Sequence, residues 1–275
     1  MRRVGLLVAG VVTACAGAEA RTTVPVPPPA AAAPAGEPVG LNPGESMAFE
    51  LRVAGVLAGE AQLAVGALGD YEGHRAVVVK SRAATAGAAA LLKHVVDEAT
   101  TVIDFATGRP LVLDTLVEQG DKTITANARF TESAAEITYT RSEDPQPRKT
   151  RIDFSKGPGA IGAVHDAHSA MAQMRGWRAA AGARRTVFIV GGRRLWRVDM
   201  TYGGSETLGS VLGNRRAIKL TGASFRVRRN FTPESTTPGR TFTVWLSDDA
   251  DRVPLKVSAS TELGDIVMTL TEYTR

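Results

Sequence analysis

Cysteine and aromatic residues are scarce in this sequence. The 275 residues include one Cys, and Phe, Trp and Tyr together make up 5% of the chain. A single thiol excludes an internal disulfide, a cysteine-based zinc site and a dithiol redox pair. Beyond the N-terminal residues there is also no apolar run near the roughly 20 residues that a transmembrane helix needs. We therefore expect no site built on cysteine and no membrane-spanning helix in the body of the chain.

A dense basic stripe is missing as well, although the formal net charge is +5. Without Arg2 and Arg3, which begin a signal-like segment, 31 basic residues stand against 28 acidic ones and the formal charge is +3. Pairs such as Arg193-Arg194 alternate with carboxylates and apolar residues, a pattern typical of solvated strand faces and turns. Nucleic-acid binders usually concentrate basic residues on one face. No nucleic-acid partner is therefore predicted.

The N-terminus has the three-part layout of a secretory signal. Two arginines precede an apolar run over residues 4–12, and small residues then lead to Cys15. The residues Val-Thr-Ala before this cysteine resemble the lipobox of bacterial lipoproteins, in which a peptidase cuts ahead of a cysteine that carries diacylglycerol. We predict a lipoprotein signal peptide over residues 1–14 and lipidation at Cys15. The alternative is an ordinary signal peptide cut near Ala18 or Ala20, which would discard the cysteine.

The rest of the chain divides into a tether and one domain. Residues 15–44 are rich in Ala and Pro and have almost nothing bulky to bury, so we predict a disordered tether that holds the domain away from a membrane surface. Residues 45–275 suit a single β-rich domain. The segments Ser142–Lys149 and Ser155–Gly162 contain Pro or Gly, and we interpret both as short loops.

Period-two alternation dominates this domain and predicts antiparallel strands with one buried face. Residues 47–53 and 123–130 are clear examples, and turn-forming residues separate such runs. Near Gly222 the apolar phase slips by one residue, which suggests a β-bulge.

The end of the chain should form a consecutive meander of three strands. We predict these strands at Thr241–Ser247, Pro254–Ser260 and Asp265–Tyr273, because each has apolar residues at every second position. The acidic cluster Asp248–Asp251 lies between the first two strands. Its spacing does not fit an EF-hand calcium loop, and an Asp-capped hairpin turn is the better interpretation.

One segment has a helical period, with five residues on a single face: Val164, Ala167, His168, Met171 and Met174. Glycines flank it on both sides, as expected at helix boundaries. The segment Ala83–Val96 is ambiguous, because its Ala-rich start favours a helix and its continuation favours a strand.

No motif in the sequence points to an enzyme. His165 and His168 are spaced to share a metal with Asp166 between them, but no third ligand completes a zinc motif. One surface and one core-facing histidine is the preferred interpretation. Nucleophile elbows, phosphate-binding loops and dinucleotide fingerprints are absent from the sequence. We predict no catalytic residue, no metal and no cofactor.

Three segments together resemble the bacterial exported proteins of the domain of unknown function 3108 family (DUF3108). They are Met47–Ala61, His165–Arg175 and Phe242–Lys256, and they occur in the family's order. The last of them, a strand followed by an Asp-containing turn, Arg-x-Pro and another strand, is the most specific. The resemblance implies a location in the cell envelope and an antiparallel β fold, and it implies no activity.

The predicted fold class is mainly β: a strongly bent antiparallel sheet or incomplete barrel of about ten strands, with one or two helices packed on its concave side. This arrangement is similar to lipoprotein carriers of the bacterial envelope, which hold acyl chains in such a cavity. We expect a non-enzymatic binding module for a lipid or another apolar or amphipathic ligand, anchored at the periplasmic face of the outer membrane. The expected ligand-binding residues are Val164, Met171, Met174, Trp177 and Trp196.

Two other functions stay open. The domain could be a structural or interaction module whose sheet edge or turns dock another envelope protein, and a hydrolase is the third possibility. A lined apolar pocket favours ligand binding, whereas a filled core with an exposed apolar patch favours docking.

Overall fold

The computed structural model describes residues 39–157, 163–234, 239–261 and 264–275. The predicted signal peptide, Cys15 and most of the predicted tether lie outside these ranges. The described part of the chain contains two α-helices, α1 (Gly87–Leu92) and α2 (Ala167–Gly176), and a short 3₁₀ helix at Phe154–Lys156. The strands are β1 (Ser46–Val53), β2 (Val56–Val65), β3 (Gly69–Tyr71), β4 (His74–Thr85), β5 (Val95–Asp104), β6 (Pro110–Gln119), β7 (Lys122–Phe130), β8 (Ala134–Arg141), β9 (Asp144–Asp153), β10 (Val164–His165), β11 (Arg184–Gly191), β12 (Arg194–Ser210), β13 (Gly213–Val227), β14 (Arg240–Ser247), β15 (Pro254–Thr261) and β16 (Gly264–Thr274).

All 16 strands belong to one sheet that does not close. The strand order is β10-β11-β12-β13-β14-β15-β16-β1-β2-β4-β5-β6-β7-β8-β9, and β3 pairs with β4 outside this path. Every pairing is antiparallel except that of β10 with β11. The predicted mainly β fold with an incomplete barrel and packed helices is therefore confirmed, although about ten strands was too few.

The number of strands was underestimated partly because the sequence of β9 lacks the pattern of a strand. It includes Pro145 and Pro147, and the sequence indicated a loop over Ser142–Lys149. In the structure β9 is an edge strand that pairs only with β8. Proline is tolerated there because an edge strand has backbone positions that donate no ladder hydrogen bond. The two prolines are two residues apart, so their missing N–H groups are on the same edge.

The two ends of the sheet overlap instead of pairing. Six consecutive residues of β11 are buried, so both faces of this strand are covered. Val187 and Ile189 pack in a cluster with α2 residues. Phe188, which points to the opposite face, shares another cluster with Ile137 of β8 and Ile152 of β9. The concave face of β8 and β9 therefore covers the outer face of β11, and one end of the sheet is tucked under the other.

The bulge predicted near Gly222 is wrong. Around this residue β13 keeps a regular register with both of its neighbours. A Cβ atom at Gly222 would lie 2.5 Å from the ring of Phe242, so the glycine leaves room for that ring and interrupts the apolar pattern. The register of β12 against β13 shifts instead between Tyr202 and Ser205, where two glycines stand on β12.

The predicted meander at the end of the chain is confirmed. β14, β15 and β16 pair consecutively and antiparallel. The turn between β14 and β15 is capped by Asp249, whose Oδ1 accepts hydrogen bonds from the backbone N–H of Asp251 and of Arg252, each at 3.1 Å. The ambiguous segment Ala83–Val96 contains the end of β4, the short helix α1 and the start of β5.

Antiparallel pairing gives the sheet two rims. The entry rim carries residues 39–45, the β14–β15 turn and the C-terminal end of α2. The far rim carries the β1–β2, β6–β7, β8–β9 and β11–β12 turns together with α1. At the entry rim the backbone N–H of Gly40 donates to the carbonyl of Ala172, and Leu41 is buried. The packed domain thus includes residues that the sequence pattern assigned to the tether.

Candidate functional site

Helix α2 begins at Ala167 because Asp166 caps it. The Asp166 side chain accepts hydrogen bonds from the backbone N–H groups of His168 and Ser169, and the Ser169 hydroxyl in turn accepts from the Asp166 N–H. This is a capping box, which satisfies free donors at a helix start. Val164 was predicted on this helix. It lies on β10 instead and packs in the cluster between the overlapping sheet ends.

A cavity lies between α2 and the concave face of the sheet, and we call it the α2 cavity. Its volume is about 140 Å³. Sixteen of its nineteen lining residues are apolar, and the three polar ones are Gln62, Ser81 and His168. The lining comprises Phe49, Ala61, Gln62, Leu63, Ser81, Ala167, His168, Ala170, Met171, Met174, Val187, Ile189, Val198, Met200, Phe242, Val244, Pro254, Val257 and Met268.

Methionine is concentrated around this cavity. Four of the six methionines in the chain line it: Met171 and Met174 from α2, Met200 from β12 and Met268 from β16. Methionine side chains are unbranched and polarisable, so they adapt to irregular or changing shapes. The wall of the α2 cavity can therefore rearrange more easily than a wall of branched aliphatic residues.

Two of the polar lining residues, Ser81 and His168, belong to a chain of hydrogen bonds that continues behind the cavity wall. Thr101 donates its hydroxyl to Asp166 Oδ2. His168 Nδ1 lies 2.7 Å from the same Thr101 oxygen, and His168 Nε2 lies 2.8 Å from Ser81 Oγ. Since the Thr101 proton is directed to Asp166, His168 Nδ1 carries the proton that the threonine oxygen accepts. His168 Nε2 is then the acceptor, and Ser81 donates to it.

His168 is held in its neutral form. Burial lowers the pKa of this imidazole, and the nearby Asp166 carboxylate opposes that effect only in part. A neutral imidazole that accepts from a serine hydroxyl is the pairing that acyl-transfer enzymes use. Here the same contacts also anchor the first turn of α2 to β4 and β5, which is a structural role for the whole chain of hydrogen bonds.

The two histidines do not form a metal site. His165 and His168 are both buried, so the expectation of one surface histidine is wrong. His165 Nδ1 lies 3.3 Å from Ser169 Oγ, whereas His168 contacts Thr101 and Ser81. Within the described ranges no group of three or more His, Cys, Asp or Glu side chains could hold a metal ion.

At the entry rim a buried ion pair closes the C-terminal end of α2, and we call it the Arg175 site. The side chains of Arg175 and Glu45 are both 0% exposed. The Nη1 and Nη2 groups of Arg175 donate to the two carboxylate oxygens of Glu45 at 2.5 and 2.8 Å. Arg175 also donates to the backbone carbonyls of Asp251 at 2.8 Å and Arg252 at 3.1 Å. One side chain thus joins α2, the start of β1 and the β14–β15 turn.

The structure brings together two of the five predicted ligand-binding residues. Met171 and Met174 line the α2 cavity. Trp177 and Trp196 are buried in the cluster that also contains Val187, and neither lines the cavity. Their rings fill the core behind the cavity wall. Neither the helical period of α2 nor the small number of aromatic residues could show whether these tryptophans line the cavity or pack behind it.

The sequence analysis missed the lining contributed by the strands. Ser81 is the clearest case, because it is a hydroxyl in a row of apolar residues that points inward from β4. A polar side chain in such a row is a signal for a buried hydrogen-bond partner. Met200 and Met268 carried no comparable signal, since alternating methionine is ordinary on a strand with one buried face.

Apolar side chains are also exposed at the far rim. Leu91 and Leu92 of α1 are 90% and 89% exposed, and Val56 at the start of β2 is 65% exposed. Neither helix in the described ranges has the length and hydropathy of a membrane span.

Comparisons with known proteins place the chain in a family. Residues 48–271 match the family model described as "Protein of unknown function (DUF3108)", so the chain belongs to this family. The three segments named in the sequence analysis lie in or next to that match. No curated protein matches the chain significantly.

One solved structure supports the fold. A β-barrel-like protein of domain of unknown function DUF1849 from Brucella abortus has a TM-score of 0.53 and 10% identity, over 84% of this chain and 96% of that chain. The hypothetical lipoprotein YmcC from Escherichia coli (K12) has a TM-score of 0.29 and 12% identity, over 84% of this chain and 87% of that one. At this identity the first match shows the fold alone, and the second TM-score carries no argument.

Proposed function

We propose that this protein is a lipid-anchored module of the bacterial cell envelope that binds a small apolar or amphipathic ligand in the α2 cavity. The observation that carries the proposal is an apolar cavity lined by four methionines between a helix and a curved sheet. Largely apolar pockets with a few polar groups are the usual form of small-molecule sites. Ser81 and His168 supply such groups at one side of the wall.

The size of the cavity limits the ligand. A volume of about 140 Å³ is close to that of an engineered cavity of about 150 Å³ that binds benzene, and it is below the roughly 300–1,000 Å³ of drug-sized sites. A longer molecule such as an acyl chain requires the methionines to move. Their flexibility supports a ligand of variable shape instead of one rigid compound.

The location rests on the N-terminal signal and on Cys15. In the proposed protein, cleavage before Cys15 and lipidation there tether the domain to a membrane, on the periplasmic face of the outer membrane. Cell fractionation of a Cys15→Ser variant tests the anchor. The variant should move from the membrane to the soluble fraction. Membrane retention equal to that of the unchanged protein would contradict lipidation at this residue.

Filling the cavity tests ligand binding. Ala170 lines the α2 cavity and is buried, so an Ala170→Leu variant places three further carbon atoms in the empty space. Titration with the apolar fluorophore N-phenyl-1-naphthylamine should show at least tenfold weaker binding to this variant. Ala64→Leu is the matched control, because Ala64 is exposed on β2 and should leave binding unchanged. Equal binding by all three proteins would contradict a site in this cavity.

A second candidate is docking to another envelope protein, and the exposed leucines favour it. The far rim, opposite the entry rim, exposes three apolar residues: Leu91, Leu92 and Val56. In this case a Leu91→Ser, Leu92→Ser double variant should lose a partner that cross-links to the unchanged protein in intact cells. The double variant should still bind the fluorophore, and this result separates the docking function from ligand binding.

A further inference from the structure

Two arginines flank one tyrosine at the far rim, and a third arginine lies beside them. Arg141 ends β8, Arg193 lies in the turn between β11 and β12, and Arg194 begins β12. The guanidinium carbons of Arg141 and Arg193 each lie 5.7 Å from the ring centroid of Tyr139. We call these four residues the Arg141 cluster. They come from strands that are distant in the sheet and meet only because its two ends overlap.

The three arginines of the cluster form no ion pair with any described residue. Two neighbouring arginines are paired: Arg226 with Glu234 at 3.0 Å, and Arg148 with Asp144. Those carboxylates are therefore already engaged.

One donor of the cluster is buried without an acceptor. The Nε of Arg141 is inaccessible and has no hydrogen-bond partner among the described residues. A buried donor without a partner destabilises a fold, and more so when the group is charged, so such groups in native proteins need an explanation. Because Nε itself is covered by protein atoms, an anion would bind at the accessible edge of the cluster, where Arg193 is exposed, and would offset the charge of Arg141 from there.

The arginines also repel one another. Burial lowers the pKa of Arg193, and the positive charges of Arg141 and Arg226 add to this effect. Arg194 is half-buried, and its pKa is lowered by burial and then by the charges of Arg226 and Arg193, which the charge of Glu234 opposes only in part. Like charges held this close are stabilised when an anion lies between them. The fold keeps them together nevertheless, because Tyr139 and the overlap of the sheet ends fix their positions.

We propose that the Arg141 cluster is a binding site for a phosphate group, either as free phosphate or as the headgroup of an anionic lipid. Guanidinium groups donate planar pairs of hydrogen bonds that match the oxygens of phosphate. A phosphate group offers enough oxygens to accept from three such groups at once, and its charge balances theirs better than the single charge of a carboxylate does. The site is separate from the α2 cavity and does not depend on the proposed function.

Calorimetric titration of the purified protein with inorganic phosphate tests the site. Phosphate should bind the unchanged protein, and Arg193→Gln should weaken binding at least tenfold. Arg193→Lys keeps the charge and loses the planar pair of donors, so it should weaken binding less. Arg151→Gln is the matched control, because Arg151 is 56% exposed on β9 and already paired with Glu136. This control should change the affinity less than twofold.

A second titration distinguishes the source of the phosphate. Dihexanoyl phosphatidylglycerol, used below its micelle concentration, should bind at least tenfold more tightly than inorganic phosphate if the headgroup of a lipid is recognised. Similar affinities for both probes indicate a site for free phosphate. The melting temperature of each variant checks that it is folded. Absence of phosphate binding by the unchanged protein, or equal binding by Arg193→Gln, would overturn the proposal.

Discussion

Arg175 and the Arg141 cluster lie at opposite rims of one sheet and have different surroundings. At the entry rim Arg175 is fully buried, and Glu45 and two backbone carbonyls accept its hydrogen bonds. At the far rim Arg141, Arg193 and Arg194 have no carboxylate partner among the described residues, and one Arg141 donor is buried without an acceptor. Arg175 therefore has complete partners within the protein, whereas the Arg141 cluster does not.

This difference separates a structural role from a binding role. A buried charge with complete partners holds elements together, and its partners come from segments that must meet for the domain to fold. Arg175 belongs to the second of the three segments that resemble DUF3108, and its carbonyl acceptors belong to the third. Arginines without a carboxylate partner can instead bind an anionic ligand. The predictions below test whether the two rims differ in this way.

The largest effect is expected at the Arg175 site. Replacing Arg175 by Gln leaves the Glu45 carboxylate buried without its counter-charge, and breaking a buried pair in this way destabilises a protein by about 3–5 kcal/mol. Urea denaturation should show this loss in the free energy of unfolding. Arg82→Gln is the control, because its pair with Glu98 is exposed and is worth less than about 1 kcal/mol. Equal effects of both substitutions would mean that the entry rim is not a structural centre.

Asp97 extends the comparison to a carboxylate near the far rim. Burial raises the pKa of this side chain to about 7 from 3.8, and no described residue donates a hydrogen bond to it. The native state therefore holds a proton that the unfolded state loses above about pH 4. Stability falls as the pH rises from about 4 to 7, and the gap between the two pKa values sets an upper bound of about 4 kcal/mol.

An Asp97→Asn variant should remove this pH dependence. It should be more stable than the unchanged protein at pH 8, by up to about 4 kcal/mol, and equally stable at pH 4. Urea denaturation at both pH values measures the difference. Glu98→Gln on the same strand is the control, and it should show no such rise because Glu98 is exposed and paired with Arg82. A pH-independent effect of Asp97→Asn would contradict the raised pKa.

Between the rims, shortening a side chain that lines the α2 cavity should destabilise the protein less than shortening one in the packed core. Met171 borders the α2 cavity, so part of its surface has no packing partner to lose. Met171→Ala should destabilise by less than about 2 kcal/mol, whereas Leu220→Ala, at a fully buried position, should destabilise by about 2–5 kcal/mol. Thermal and urea denaturation compare the two. A loss at Met171 as large as at Leu220 would show that the methionines form a filled core.

Much of the fold could be predicted from the sequence, and the reasons are local. The final meander and its Asp249 cap follow from alternation and turn chemistry within one stretch of chain. The overlap of the sheet ends could not be predicted, because Phe188 and Ile137 meet through the order of all the strands between them. For the same reason Arg193-Arg194 resembled a solvated turn. Only the overlap places Arg141 beside that pair.

The smallest expected effect concerns the stability of the Arg141 cluster itself. If its charges repel one another without a partner, Arg193→Gln should stabilise the protein slightly, by about 0.2–1 kcal/mol, which is the usual size of interactions between partly exposed charges. The gain should be largest at about 0.01 M ionic strength and vanish near 1 M, where the screening length falls from about 30 to 3 Å. Added phosphate should reverse the order, because it stabilises only a protein that binds it. Urea denaturation in low salt, in high sodium chloride and in phosphate measures all three conditions. A substitution that destabilises the protein in every condition would instead assign Arg193 a structural role like that of Arg175.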